Sequence, residues 1–375
     1  MFAYLDNSAT TKPCAEAVAA MTEALTDNWG NPSALYRFGM DAARSLRTAR
    51  EQVAKALGAQ ADRVFFTSGG TEADNWAIFS AMARMGKRGK HIITTAVEHH
   101  AVLNPMKRLE EQGYAVTYLK PDKEGRVTLD ALRDAIRPDT VFLSIMMVNN
   151  ESGAVMPIDR MVKLVRHMAP DAIFHTDAVQ GFLKVPFQAK TLGADLISIS
   201  SHKVHGPKGA GALYIRKGLP LPPYLLGGGQ EGNYRSGTEG VPALVGFGAA
   251  CAAALPNLKE DLSRETALRD EVLRRADALP GVEILGAHEA PHIIPLSIPG
   301  IPTQNTINIL QDHGVCVSAG SACAKGHRSH VLEAMNLPPE IMDGGFRVSL
   351  SRFTTEAEID ALFAGLEAVL ARMKR

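Results

Sequence analysis

The chain has 375 residues, and its 40 lysines and arginines balance its 40 aspartates and glutamates, so the formal net charge is zero. This balance predicts no binding of nucleic acid or of an anionic membrane, and no apolar run approaches the length of a membrane span. The N-terminus, "MFAYLDNSATTKPC", lacks the basic and apolar segments of a signal peptide, and four scattered cysteines are typical of reduced thiols. We expect a soluble globular protein of the cytoplasm.

Helices and strands alternate from about residue 50 to residue 215. A helical pattern in "ARSLRTAREQVAKALG" precedes the strand "RVFFTSGG", and a helix follows from "TEADNWAIFSAMARMG". The further strands are "HIITT", "YAVTYL", "TVFLSIMMV", "AIFHTD", "DLISIS" and "GALYI", with helices near 100–112, 128–136 and 157–168. Continuous apolar strands that alternate with helices predict a mostly parallel seven-stranded sheet covered on both faces. Ligands of such sheets bind beyond the carboxyl ends of the strands.

The pattern changes after the Pro- and Gly-rich stretch "KGLPLPPYLLGGGQEGNYRSGTEG". Two helices, near 241–254 and 257–279, lead to the strands "VEIL", "IIPLSI" and "FRVSLS" and to a terminal helix. We therefore predict an α/β protein of two domains. The large domain spans 15–254, and the smaller α+β domain combines 1–14 with 255–375.

Polar residues follow five of the predicted strands of the large domain. In "SISSHKVHGPKG", Lys203 is either a solvated turn residue or an amine that forms a Schiff base with an aldehyde cofactor. Asp177 either caps a helix or pairs with a pyridinium nitrogen. Thr71, after two glycines at a helix start, fits a phosphate. His99 and Asn150 are plain cap and turn formers when taken singly. Together, in order along one sheet edge, the five indicate a site for pyridoxal 5'-phosphate.

The thiol of Cys323 lies among small residues in "SAGSACAKG". It could be a nucleophile, a metal ligand together with His327 and His330, one half of a disulfide with Cys316, or filler. The metal alternative lacks a fourth ligand and a second cysteine pair at a usual spacing, so we predict no metal site. The loop by itself does not decide between the remaining roles.

Ten ordered motifs resemble those of a known family. They run from "YLDNSATT", "GNPSALYRFG", "FTSGGTEADN" and "EHHAVL" through "VNNESG", "HTDAVQ" and "SSHKVHGPKG" to "GGGQEGNYRSGTEG", "SAGSACA" and "FRVSLSRFTTEAEID". The family is that of the NifS/IscS-type cysteine desulfurases, which have the class V aminotransferase fold. The resemblance implies the pyridoxal phosphate-dependent transferase fold of type I and a homodimer with a shared active site. It also implies a sulfurtransferase that converts L-cysteine to L-alanine, with delivery of the persulfide sulfur to an acceptor or scaffold protein.

The resemblance assigns roles to individual residues of this chain. The implied catalytic residues are Lys203, Cys323 and His99. The implied contacts of the cofactor's ring are Lys203, which forms the Schiff base, Asp177 on the ring nitrogen, His99 stacked on the ring, and Asn150 and Gln180 near the ring oxygen. The implied phosphate ligands are Gly70, Thr71, Ser200, His202 and, from the other subunit, Thr238. The implied substrate ligands are Asn31, Asn150 and Arg347.

Two other functions stay open at this point. Selenocysteine lyase, or another class V enzyme that catalyses β-elimination, would share most of these residues. A non-catalytic scaffold would keep the fold and lose the chemistry, although the joint presence of Lys203, Asp177, His99, Arg347 and Cys323 argues against it. Only "AKGHRSH" separates Cys323 from the next helical pattern, and the sequence leaves the sulfur acceptor, in iron–sulfur cluster assembly or in the thiolation of tRNA or a cofactor, undetermined.

Overall fold

The computed structural model describes residues 2–319 and 328–373, and its largest element is a seven-stranded sheet of order β2-β8-β7-β6-β5-β3-β4. The strands are β2 (Val64–Thr67), β3 (His91–Thr95), β4 (Ala115–Leu119), β5 (Thr140–Ser144), β6 (Ile173–Asp177), β7 (Leu196–Ser200) and β8 (Gly211–Ile215). Strands β3 to β7 pair in parallel, and β8 is antiparallel to both of its neighbours. The predicted sheet, mostly parallel and seven-stranded, is the one observed.

Alternate residues of the central strands enter two different cores. In β5, Phe142 is buried in one core with Trp76, whereas Leu143 is buried in the other core with Val53 and Val165. Because successive side chains of a strand point to opposite faces, a strand buried on both faces must be apolar throughout. The helices around the sheet are α1 (Ala15–Thr26), α2 (Arg37–Leu57), α3 (Gly70–Met85), α4 (His100–Glu111), α5 (Leu129–Ala135), α6 (Ile158–Met168), α7 (Ala189–Leu192) and α8 (Val241–Ala254).

Strand β2 joins the sheet differently from what its place in the alternating pattern suggests. It pairs with β8 in antiparallel fashion, and β8 is antiparallel to β7. Two reversals restore the direction, so β2 points the same way as β3, β5, β6 and β7 without a parallel partner. Its carboxyl end, at Thr67, therefore lies on the same edge of the sheet as the carboxyl ends of those four strands.

A second core forms around a small antiparallel sheet. Its strands are β9 (Glu283–Ile284), β10 (Ile293–Ser297) and β12 (Gly345–Ser349), and a separate parallel pair joins β1 (Ala3–Tyr4) to β11 (Val315–Cys316). The helices in this part of the chain are α9 (Leu258–Asp277), α10 (Thr303–Asp312), α11 (His330–Ala334), α12 (Pro339–Asp343) and α13 (Glu356–Met373). Leu296, Phe346 and Leu362 are buried together in this core. The division into domains at residues 14 and 254 stays a prediction.

Within the described ranges, one helical stretch, Val241–Asp277, is long and apolar enough to cross a membrane by length and composition. Its apolar half is α8, which packs against α1 and α2. Val245, Phe247 and Cys251 of this helix are buried in the protein interior. The second half, α9, carries charged residues over much of its length. This packing is that of a core helix.

Candidate active site

The carboxyl ends of β2, β3, β5, β6 and β7 surround a cavity of about 340 Å³. Its lining residues are Ser8, Ala9, Gly70, Thr71, Asp74, His99, Met146, Val148, Asn150, Asp177, Val179, Gln180, Ser200, His202, Lys203, Ser318 and Arg347. Most of the site residues predicted from the sequence are therefore brought together. They come from the loops that follow the strands and, for Arg347, from β12 of the smaller sheet.

Three predicted residues are not part of this lining. Asn31 is exposed, and its Oδ1 accepts a hydrogen bond from the Ser33 N–H at 2.9 Å. Thr238 lines a separate cavity together with Arg235. Cys323 lies outside the described residues, as does His327, the histidine of the metal alternative that the sequence analysis set aside. The predictions that Asn31 binds substrate and that Thr238 reaches the phosphate of a second subunit stay predictions.

Lys203 follows β7, and its amine is held by the N-terminal segment. Nζ donates hydrogen bonds to the carbonyl oxygens of Ser8 at 2.6 Å and Ala9 at 2.8 Å. Burial, reinforced by the positive charges of Arg347 and Lys184, lowers the pKa of Lys203 to about 7. A large fraction of these amines is thus unprotonated at neutral pH, which is the form that attacks a carbonyl.

Asp177 ends β6 and is almost fully buried. Its Oδ1 accepts a hydrogen bond from the Val179 N–H at 2.8 Å. Burial raises the pKa of Asp177 to about 6, although that hydrogen bond and Lys203 oppose the rise. Burial and the charge of Asp177 also raise the pKa of Asp74, a second buried carboxyl in the lining, well above its ordinary value. Two buried carboxyl groups in one cavity favour a ligand that carries positive charge.

His99 is the N-cap of α4. Its Nδ1 accepts a hydrogen bond from the Ala101 N–H at 3.1 Å, so the neutral ring carries its proton on Nε2. Burial, followed by the charge of Lys203, lowers the pKa of His99 to about 4. The imidazole is therefore neutral at physiological pH and offers Nε2–H as a donor. A neutral imidazole can also stack on an electron-poor aromatic ring without placing a positive charge against it.

Arg347 lies on β12 and is only 5% exposed. Its Nη1 donates to the Asn150 carbonyl oxygen at 2.7 Å, and its Nη2 donates to Oδ1 of Asp6 at 3.0 Å. The Nε of Arg347 is buried and has no hydrogen-bond partner among the described residues. A guanidinium with a free donor, lining a cavity, can bind a ligand carboxylate.

The segment that begins at Asp6 makes several of the contacts that organise the cavity, and the sequence analysis missed this role. Besides the bonds from Lys203, the Ser8 carbonyl oxygen accepts a hydrogen bond from Nε2 of Gln180 at 2.9 Å. The Thr10 hydroxyl lies 3.1 Å from Nδ1 of His202. The only signal in the sequence is the position of these residues in the motif "YLDNSATT", because their partners are far away along the chain.

The loop that carries Thr238 is anchored by a buried ion pair. Arg50 binds both carboxylate oxygens of Glu231, at 2.6 and 2.7 Å, and the Phe66 N–H donates to the same carboxylate at 2.8 Å. The Glu231 side chain is 2% exposed, and its backbone φ of 50° is in the left-handed region. The anchor therefore stabilises a strained turn next to Thr238.

Replacing Glu231 by glutamine is expected to lower the free energy of unfolding by about 3 kcal/mol, because Arg50, whose side chain is only 20% exposed, is left without a counter-charge. Urea-induced unfolding measures the change. Asp41→Asn is the matched control, since Asp41 pairs with Arg44 on an exposed helix surface, where ion pairs contribute little. If both variants unfolded at the same urea concentration as the unaltered chain, the anchor would be dispensable.

The cavity leaves several buried polar atoms without a partner among the described residues. These atoms are Ser8 Oγ, Asp74 Oδ1, Gln180 Oε1, Ser200 Oγ and Arg347 Nε. Such atoms normally find partners in a ligand or in water. The N-terminus of α3, at Gly70 and Thr71, adds backbone N–H groups that suit a phosphate. With the amine of Lys203 and the carboxyl of Asp177, this donor set fits pyridoxal 5'-phosphate.

Comparison with known proteins agrees with this chemistry. The family model of aminotransferase class-V matches residues 3–362. The chain belongs to the aminotransferase class-V family. Cysteine desulfurase from Trichormus azollae is 44% identical over 99% of this chain and 93% of the relative. A solved structure described as a NifS-like protein superposes with a TM-score of 0.94 and 37% identity, and covers 99% of this chain and 100% of that one.

Another solved structure, of SspA in complex with cysteine, has a TM-score of 0.79 and 32% identity over 94% of this class V chain and 100% of its own. The similarity to NifS/IscS-type cysteine desulfurases predicted from ten motifs is thereby confirmed, as is the fold class of the pyridoxal phosphate-dependent transferases of type I. Class V enzymes of this kind use pyridoxal phosphate. The roles of individual residues in this chain stay predictions.

Proposed function

We propose that this protein is a cysteine desulfurase that converts L-cysteine to L-alanine and takes the sulfur as a persulfide on Cys323. The proposal rests mainly on one observation. An amine with a lowered pKa, a buried carboxyl and a buried guanidinium line the same cavity of a chain that belongs to the aminotransferase class-V family. The relatives named cysteine desulfurase support cysteine, rather than selenocysteine, as the substrate. The joint presence of Lys203, Asp177 and Arg347 also supports an enzyme rather than a scaffold.

Pyridoxal 5'-phosphate, when bound, supplies an electron sink for the substrate's α-carbon. Lys203 would hold the cofactor through its aldehyde carbon, Asp177 would pair with the ring nitrogen, and His99 would stack on the ring. Asn150 and Gln180 contact the ring oxygen. The proposed phosphate ligands are Gly70, Thr71, Ser200, His202 and the Thr238 of a second subunit. Burial lowers the pKa of His202 to about 4, so it contributes a neutral hydrogen-bonding group there.

The guanidinium of Arg347 binds and orients the substrate carboxylate, assisted by Asn150 and Asn31. The Lys203 amine, released when the amine of the substrate takes its place, removes the proton from the α-carbon in its unprotonated form. His99 donates a proton from Nε2. The Cys323 thiolate forms a sulfur–sulfur bond with the substrate as the substrate's carbon–sulfur bond breaks. The bonding electrons stay on carbon, which takes up protons and becomes the methyl group of alanine, while both sulfur atoms end in the persulfide.

The proposal includes a homodimer with a shared active site. Large apolar side chains are exposed on the segment between α1 and α2, where Trp29, Leu35 and Tyr36 have more than half of their surface in solvent, and Leu226 near Thr238 is 88% exposed. Exposed apolar side chains of this size are typical of surfaces that a partner covers. A cytoplasmic location and an acceptor or scaffold protein that receives the sulfur complete the proposal. Neither nucleic acid nor a membrane takes part directly.

Incubation of the holoenzyme with L-cysteine is expected to add one sulfur atom to the peptide that contains Cys323 and to release alanine, both detected by mass spectrometry. Cys323→Ser should lose both signals, because no other thiol is proposed to attack the substrate. Cys316→Ser, at a half-buried cysteine, is the matched control and should keep both. Full alanine production by Cys323→Ser would contradict the proposal, and faster turnover of selenocysteine than of cysteine would favour the lyase.

A further inference from the structure

A second lysine is buried behind the catalytic one. Lys184, in the turn that follows β6, is 6% exposed, and its Nζ has no hydrogen-bond partner among the described residues. Glu265 of α9 is also 6% exposed, and its Oε2 is likewise without a partner in the same part of the chain. Both residues line a cavity of about 30 Å³, which has room for a single water molecule. The proposed reaction uses neither residue.

This small cavity adjoins the active site through Lys203. Among the described residues, Lys203 is the one member common to the linings of the two cavities. Lys203 therefore lies between the cofactor cavity and the Lys184–Glu265 cavity. His205, Asp261, Ser351 and Arg352 complete the polar part of the small lining.

The charged groups around Lys203 come from several elements. Arg347 and Lys184 disfavour its protonated form, whereas Asp6 and Asp177 favour it. The imidazoles near these cations add no positive charge, because burial lowers the pKa of each well below neutrality; they are His99, His202, His205 and His292. Lys184 and Arg352 are the cations around the small cavity that the proposed reaction leaves without a task, and of these two described residues Lys184 is the one whose charge lowers the pKa of Lys203.

Lys184 and Glu265 line the same small cavity and influence each other's ionisation. Burial lowers the pKa of Lys184, and Glu265 is the group that opposes this change. Burial also raises the pKa of Glu265, with Lys184 opposing. The positive charge of Lys184 lowers the pKa of Lys203, whereas Glu265 is not among the groups that shift this pKa. The residue whose amine the proposed reaction needs therefore lines the same small cavity as a buried cation, and the charge of that cation disfavours the protonated amine.

We propose that Lys184 is a positioning residue that acts through Lys203: its buried ammonium group keeps the catalytic amine unprotonated and ready to react. A cationic neighbour in a desolvated site is a known way to make a lysine nucleophilic at neutral pH. The inference deepens the proposed function and rests on it, since it explains how Lys203 becomes available for the proposed reaction.

The test is a spectral titration of the holoenzyme, in which the visible absorbance of the cofactor attached to Lys203 changes with pH. Lys184→Met removes the charge and keeps the length of the side chain. The midpoint is expected to rise by about one pH unit, a roughly tenfold higher proton affinity, because a like charge no longer repels the proton. Lys190→Met is the matched control: this exposed lysine is six residues further along the chain, and its removal should leave the midpoint unchanged.

A second variant guards against a folding defect. Lys184→Met/Glu265→Leu leaves no unpaired buried carboxyl and should show the same rise. Acetylation of the apo-protein as a function of pH, read by mass spectrometry of the Lys203 peptide, should show a parallel rise without any cofactor.

The possible failures are distinguishable. Equal midpoints in the unaltered chain and in the variants would overturn the inference and leave the proposed function intact. If the unaltered chain bound no cofactor and had no visible band, the proposed function would fail, and the acetylation midpoints would still decide whether Lys184 acts on Lys203.

Discussion

Replacing Lys203 by alanine is expected to reduce alanine formation from L-cysteine by about four orders of magnitude or more, and to abolish the visible absorbance of the bound cofactor. Among the described residues, the cavity lining contains no other amine that could take over the covalent attachment. The same amine is the proposed base for the proton on the substrate's α-carbon. Loss of both tasks together explains why the expected effect is large.

Two controls separate chemistry from structure in this experiment. Lys203→Arg keeps a positive charge and similar length but stays protonated, so it should be as inactive as the alanine variant. A small added amine, such as methylamine, should restore part of the activity of Lys203→Ala, because it can take the place of the missing base. Retention of the visible band by either variant would contradict the assignment of Lys203.

The arrangement of the site could be predicted from the sequence because it depends on one rule of sheet architecture. Lys203, Asp177, His99 and Asn150 follow buried strands that run in the same direction, so their positions along the chain place them at one edge. Thr71 joins them by a different route, since β2 pairs with an antiparallel strand yet points the same way. The residue pattern of each strand was sufficient to predict the residues at this edge, and the prediction did not depend on which strands pair with each other.

Contacts that join distant segments could not be predicted in this way. The two-residue strands β1 and β11 are too short to produce a periodic pattern, and with them the roles of Asp6 and Ser8 were missed. The pairing of Lys184 with Glu265 joins a turn of the large sheet to α9, across 81 positions of sequence. Asn31 and Thr238 were predicted by resemblance, and a single chain does not bring either into the cavity.

Replacing Arg347 by glutamine is expected to lower kcat/KM for L-cysteine by about 100-fold or more, mainly through a higher KM. The guanidinium is buried, and a truncated charge partner in such a place costs about 2 to 5 kcal/mol. Arg347→Lys keeps the charge but loses the planar pair of donors, so an intermediate loss of about tenfold is expected. The visible absorbance of the cofactor should persist in both variants, because Arg347 is proposed to bind the substrate and not the cofactor.

A comparison of two substrates tests whether Arg347 binds the carboxylate itself. Cysteamine has the amine and the thiol of cysteine but no carboxylate, so the unaltered enzyme should strongly prefer L-cysteine. The preference should largely disappear in Arg347→Gln, since neither substrate then meets a guanidinium. If the variant kept the full preference for L-cysteine, the carboxylate would bind elsewhere.

Asp6 provides the last control, because Arg347 already holds its carboxylate in the structure. Removing Arg347 also leaves Asp6 without its ion-pair partner, so part of the loss could come from a disturbed N-terminal segment. The double variant Asp6→Asn/Arg347→Gln removes that unpaired charge. Because the segment also accepts the hydrogen bonds of Lys203, through Ser8 and Ala9, a disturbed segment would change the cofactor spectrum. If the double variant has an unchanged cofactor spectrum and loses the preference for L-cysteine as Arg347→Gln does, the loss comes from the missing contact between guanidinium and carboxylate.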